Sequence, residues 1–211
     1  MAGLIGKKLG MTQVFTDDGE AVGVTVVEAG PCPVVQVKTV ERDGYEALQL
    51  GFGEVKESRV KSPEAGHAAR AGLDHVPKEL AEFEPFEVDD EPLEAGDEVT
   101  VEAFEEGERV KVTGRTKGRG FQGGVKRHGF SKAPGSHGGQ SVERQPGSAG
   151  PGTDPSRVIK GKRMPGQMGD ATTTIENLRI EKVDPERNVL LIRGGVPGSK
   201  DNILHIRSAG R

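Results

Sequence analysis

Apolar residues in this chain fall in short, β-branched-rich runs broken by glycine, proline and acidic turns. That pattern predicts strands rather than helices. Residues 21–28 are the clearest case, with Val22, Val24 and Val26 on one face. Val27 breaks the alternation, which predicts a strand covered on both sides. Asp17-Asp18-Gly19 predicts a turn from a strand over residues 11–15. Pro31-Cys32-Pro33 separates residues 21–28 from a strand over 34–40, and Asp43-Gly44 introduces one over 45–52.

The middle of the chain reads differently. Ser62-Pro63-Glu64 predicts a helix start, with the helix over 64–71 stopped by Gly72. The acidic run 82–98, with Pro85 and Pro92, reads as a solvated surface element. Residues 99–104 and 109–113 predict a hairpin around Glu105-Glu106-Gly107-Glu108. Residues 173–183 and 188–193 predict a second, turning at Asp184-Pro185-Glu186, and 203–207 a closing strand. The expected fold is mainly β: a small closed barrel, because closure removes exposed edges, plus a small α/β insertion and a long irregular extension. The boundaries read as 1–53 with 99–113 and 170–211 for the barrel, 54–98 for the acidic insertion, and 114–169 for the extension.

Charge changes the picture. The 211 residues carry a formal net charge of −4, which hides a strong asymmetry. Residues 41–113 have a net of −13, whereas 114–169 hold eleven Lys or Arg against two acids, Glu143 and Asp154. A basic tract inside an acidic protein points to nucleic acid as partner. The same tract holds 15 of the 32 glycines. Its sizeable apolar side chains are Phe121, Val125, Phe130, Val142, Val158, Ile159, Met164 and Met168, too few to offset the entropy of ordering it. It is expected to be loose when free and to take its shape from a partner.

Lys117-Gly118-Arg119-Gly120 and Lys160-Gly161-Lys162-Arg163 suit phosphate contact, since glycine lets the backbone approach and cations displace condensed counterions. The expected RNA-contacting residues are Arg115, Lys117, Arg119, Phe121, Lys126, Arg127, His128, Phe130, Lys132, His137, Arg144, Arg157, Lys160, Lys162 and Arg163. Phe121 and Phe130 are candidates for stacking, but two rings are not a stacking platform. His128 and His137 read as hydrogen-bonding or RNA-contacting rather than as metal ligands.

Other motifs exclude chemistry. Gly118-Arg119-Gly120-Phe121-Gln122-Gly123 fits G-x-G-x-x-G, but no crossover helix or following strand completes a dinucleotide-binding unit. Arg119-Gly120-Phe121 begins like the RNA-recognition-motif signature and then departs from it. Ser58-Arg59-Val60-Lys61 fits S-x-x-K without its companion motifs. His67 and His75 have no third ligand nearby, and the single cysteine, Cys32, allows neither an intramolecular disulfide nor a cysteine-based zinc site. No enzyme activity, cofactor or metal is expected. No apolar run approaches the ~20 residues of a membrane span, and the N-terminus lacks a secretory apolar region, so a soluble, cytoplasmic protein is expected.

Several motifs together carry a family resemblance over essentially the whole chain. Gly3-Leu4-Ile5-Gly6-Lys7-Lys8-Leu9-Gly10-Met11-Thr12, Asp43-Gly44-Tyr45-Glu46-Ala47-Leu48-Gln49 and Pro63-Glu64-Ala65-Gly66-His67 are three of them. Lys126-Arg127-His128-Gly129-Phe130, Ser136-His137-Gly138, Pro146-Gly147-Ser148 and Gly166-Gln167-Met168-Gly169 continue the series. The chain resembles the universal family of ribosomal protein three of the large subunit, in its bacterial form. The resemblance implies a barrel of the translation-protein type and a loop threading into large-subunit rRNA toward the peptidyl transferase centre. It further implies an early role in assembly, a place on the ribosome, and ribosomal proteins fourteen and nineteen as neighbours. A nonspecific RNA chaperone with a basic disordered loop is the alternative, and a nucleotide-binding enzyme the more distant one.

Four departures stand out. Pro151 occupies a position where some bacterial members have a methylated glutamine, so that modification is not expected there. Glu143-Arg144-Gln145 is less basic than the family's usual pattern, which predicts weaker local phosphate contact. Asp154-Pro155-Ser156 replaces a Thr-Pro-Gly pattern, and the chain ends at Arg211 without the basic tail of some members.

Overall fold

A computed structural model describes residues 2–16, 19–88 and 91–209. Asp17 and Asp18 of the expected first turn lie outside the described residues. The strands are β1 (Gly3–Phe15), β2 (Ala21–Ala29), β3 (Cys32–Lys38), β4 (Ala47–Glu54), β5 (Pro77–Phe83), β6 (Glu87–Val88), β7 (Glu91–Pro92), β8 (Glu98–Val99), β9 (Arg109–Arg115), β10 (Phe121–Gln122), β11 (Gly166–Gln167), β12 (Thr172–Asp184), β13 (Val189–Arg193) and β14 (Ile203–Ser208). The helices are α1 (Val40–Asp43), α2 (Ser62–Arg70) and α3 (Gly124–His128). The chain divides into two compact units, Met1–Arg115 with Thr172–Arg211, and Thr116–Ala171.

The first unit holds a closed antiparallel barrel in the order β1-β14-β9-β12-β13-β2. Its core is aliphatic: Leu4, Val27, Val110, Val112, Ile180, Leu190, Ile192, Leu204 and Ile206 are all 0% exposed. Closure leaves no open edge among these strands, as the short apolar runs predict. The expected hairpin over 173–193 is present as β12 and β13, and 203–207 closes the barrel as β14, pairing with both β1 and β9.

Four expectations need correction. The first strand begins at Gly3, not residue 11, because its opening half buries Leu4 and Ile5 between glycines. The phase break at Val27 does not mark a simple two-sided strand. Lys8 pairs with Val27 and Gly10 with Val26, so a register shift lies directly opposite. Residues 99–104 make no hairpin with 109–113. Glu98–Val99 pairs with β3, Val101–Ala103 forms a 3-10 turn, and β9 is claimed on both sides by β12 and β14.

The fourth concerns residues 32–53, expected in the barrel. They instead join a separate four-stranded sheet, β5-β4-β3-β8. The closed ring offers β3 no edge, and Cys32, Pro33, Val34 and Val35 are all buried in the second sheet. The strand expected over 34–40 therefore ends at Lys38, and Val40 opens α1 with 58% exposure.

The acidic run is also less solvated than its charge suggests. Phe83 and Phe86 are buried within it, and β5 pairs Leu48 with Phe83 and Leu50 with Ala81. Glu82 receives Lys38 Nζ at 2.6 Å and the Tyr45 hydroxyl at 2.8 Å. These bonds hold its carboxyl below the usual range and push the Lys38 ammonium up. Helix α2 matches its prediction closely, with Pro63 in its first turn and the Glu64 side chain accepting from the Lys61 backbone N–H at 3.4 Å.

One buried cation organises the barrel. Lys8, only 8% exposed, donates from Nζ to Val196 O at 3.0 Å and to Gly198 O at 3.2 Å. Lys8→Met removes these charge-assisted bonds while keeping the stem's bulk. A loss of roughly 2–3 kcal/mol is expected, read as a lower urea midpoint at constant m-value.

Candidate nucleic-acid interface

The first unit ends at Arg115, the last residue of β9, which pairs with Thr172 at the start of β12. The unit Thr116–Ala171 begins as a narrow two-stranded ladder. Thr116 N–H donates to Ala171 O at 2.9 Å, Arg119 N–H to Met168 O at 2.8 Å, and Met168 N–H to Gly120 O at 3.0 Å. Phe121 then pairs with Gln167 and Gln122 with Gly166. Gly169, at φ +70°, sits so close to Lys117 O that any Cβ there would collide with it.

Beyond the ladder, α3 carries Lys126, Arg127 and His128, and Gly129 closes it in the left-handed conformation. Arg127 Nη1 donates to Met164 O at 2.6 Å, and His128 Nε2 lies 3.0 Å from the same carbonyl. Phe130 packs on Gly124, where a Cβ would lie 2.7 Å from the ring, and on the His128 ring at 5.7 Å. Gly124 is the one buried residue among those described in this unit. This knot is small. Val158 is 48% exposed, Ile159 62% and Phe121 75%, so the apolar side chains do not converge into a core.

The expected contact residues fall into two groups. Arg127, His128 and Phe130 are half-buried and engaged within the unit, holding α3 against the segment at Met164. Lys117, Arg119, Phe121, Lys126, Lys132, His137, Arg144, Arg157, Lys160, Lys162 and Arg163 are exposed, as is Arg115 at the end of β9. The sequence reading missed the Met164 carbonyl as the shared acceptor. No local sequence signal marks that acceptor, because Met164 lies more than thirty residues from both side chains.

Glu143 has a local role. Its carboxylate lies 3.9 Å from Lys132 Nζ, and its carbonyl accepts from Ala133 N–H at 3.0 Å. Both side chains are about half exposed, so the ion pair adds little stability. Glu143→Gln keeps the backbone bond and releases Lys132. RNA affinity is expected to rise about two- to fivefold at low salt, with a steeper salt dependence, in a filter-binding titration.

No dinucleotide site accompanies the glycine-rich segment. β10 is two residues long and α3 five, and they lead into no parallel strand. Among the described residues no group of three His, Cys, Asp or Glu is placed to hold a metal ion. Cys32 is buried, its thiol meets Ile5 O at 3.4 Å, and burial pushes its pKa up to about 12. No helix of the described residues is long and apolar enough to cross a membrane.

Comparison with known proteins identifies the family. The family model described as Ribosomal protein L3 matches residues 83–188, half of the chain. The large ribosomal subunit protein uL3 of Carboxydothermus hydrogenoformans is 50% identical over 207 residues, spanning 98% of this chain and 97% of the relative. The uL3 of Streptococcus mutans is 51% identical over 208 residues, spanning 98% and 96%. That of a Synechococcus species is 50% identical over 209 residues, spanning 99% and 95%. With half its residues identical to these proteins from end to end, the chain belongs to the ribosomal protein L3 family.

Proposed function

We propose that this protein is a structural constituent of the large ribosomal subunit in the cytoplasm. It binds large-subunit rRNA directly through the unit Thr116–Ala171, helps nucleate assembly, and extends that unit toward the peptidyl transferase centre. It does no chemistry of its own. Ribosomal proteins fourteen and nineteen of the same subunit are its expected neighbours.

One observation carries the RNA-binding part: the unit Thr116–Ala171 combines a single buried residue with a series of exposed cations. A segment with so little core gains a defined surface by laying backbone and cations against phosphates. The half-buried trio Arg127, His128 and Phe130 supplies the local rigidity that presents the exposed residues. The membership argued above supplies the identity of the RNA.

Ultraviolet crosslinking in cells, followed by gradient sedimentation, tests the reading. The protein is expected in the large-subunit peak, with rRNA crosslinks concentrated between residues 116 and 171. Absence from that peak, or crosslinks confined to the barrel, overturns it. The nonspecific-chaperone alternative predicts equal affinity for rRNA and a scrambled RNA of the same length. A specific ribosomal protein discriminates between them.

A further inference from the structure

Residues 79–108 contain fourteen carboxylates and no Lys, Arg or His. Within this segment the structure leaves an open groove of about 480 Å³. Its wall is mainly apolar, formed by Ala2, Val37, Leu48, Phe86, Pro92 and Leu93. Val37 is 38% exposed there, and Pro92 is exposed as well. Glu87 lies on the groove wall, while Glu84 and Glu94 are exposed just before and after its proline-bearing segments. The nearest cation along β3, Lys38, is tied to Glu82 at 2.6 Å, and successive strand residues face opposite ways.

We propose that this groove is a docking site for a Lys- and Arg-rich protein segment carrying an aliphatic anchor. The anchor enters between Val37 and Pro92, and the flanking cations meet the carboxylates of Glu84, Glu87 and Glu94. Charge complementarity selects this occupant. A phosphate backbone is repelled by a segment with fourteen acids and no base, whereas a basic peptide is drawn to it. The apolar wall selects a peptide with an anchor over a plain polycation, because burying the anchor adds affinity that charge alone does not. RNA would thus be held by one unit of the chain and a basic protein by the other. The inference rests on the ribosomal reading only for where such a partner is found, since basic tails are abundant among proteins that pack on rRNA.

The probe is a fluorescent twelve-residue peptide of ten lysines around two central leucines, carrying a photoreactive group and titrated into the full-length protein. Crosslinks are expected at Val37 and at residues 85–87, 92 and 93. An all-lysine peptide is expected to bind about tenfold more weakly. Val37→Asn and the triple variant Glu84→Gln, Glu87→Gln, Glu94→Gln are each expected to lower affinity about tenfold without changing the unfolding midpoint, because all four residues are exposed. Equal binding of the two peptides, or no effect of Val37→Asn, overturns the proposal. Filter binding of rRNA to the same variants separates the two readings. Peptide docking that survives a failure of rRNA binding leaves the groove standing, and the reverse leaves only the RNA interface.

Discussion

Replacing Lys117, Arg119, Lys126, Lys160, Lys162 and Arg163 together by glutamine is expected to abolish high-affinity rRNA binding while the protein remains folded. All six side chains are exposed in the unit Thr116–Ala171. Each phosphate contact adds about −0.7 to −0.9 to the slope of log K against log salt, so the slope should flatten by about 4–5. At 50 mM salt that corresponds to a loss of about a thousandfold or more. Arg127 is left in place deliberately, because its guanidinium holds the Met164 carbonyl and its removal would confound charge with local structure. Unfolding by urea should be unchanged, since none of the six contributes to the barrel core. Unaltered affinity, or a slope as steep as in the parent protein, would show that RNA is bound elsewhere.

Leu204→Ala should have the largest effect on stability. Leu204 is fully buried on β14, the strand that closes the barrel between β1 and β9. Its side chain packs against Gly114 of β9, where a Cβ would lie 2.6 Å from Cδ2, so the site is filled to contact. Removing three carbons from such a place costs the lost transfer energy plus the cavity left behind, about 3–5 kcal/mol. That is a large share of the roughly 5–15 kcal/mol that holds a domain folded. A guanidinium titration should show a lower midpoint at an unchanged m-value. Val158→Ala, at a position 48% exposed in the other unit, is the control and should shift nothing measurable. Comparable shifts for both variants would mean that the barrel does not dominate the stability of the chain.

Much of the barrel was legible in the residues because short apolar runs and turn residues are local signals. β12, β13 and β14 were readable from runs such as Val189-Leu190-Leu191-Ile192 and from the turn at Asp184-Pro185-Glu186. The missed half of β1 shows the limit of that signal. Gly3-Leu4-Ile5-Gly6 has no alternation to read, because all four residues are buried and glycine stands where Phe83 and Val27 leave no room for a side chain. β5 was hidden for a different reason. Its sequence, Pro-Lys-Glu-Leu-Ala-Glu-Phe, carries enough charge to pass for surface, and only pairing with β4 makes Ala81 and Phe83 interior. In the unit Thr116–Ala171, the exposed cations were evident from composition. The convergence of Arg127 and His128 on one carbonyl more than thirty residues away was not.

The sequence by itself determined the strands β2, β12, β13 and β14, the helix at Pro63, the charge division between residues 41–113 and 114–169, and the family. Each of these depends on residue types at short spacing. Tertiary structure alone decided which strands share a sheet. β3 and β4 leave the barrel because β2 is already paired on one side with β1 and on the other with β13. Strand partners are chosen by which backbone edges remain open once the ring has closed. That competition is settled between residues far apart in the chain, where local pattern carries no information. The same holds for the apolar groove beside the acidic segment: its wall combines residues 2, 37, 48, 85–87, 92 and 93, brought together only by the second sheet.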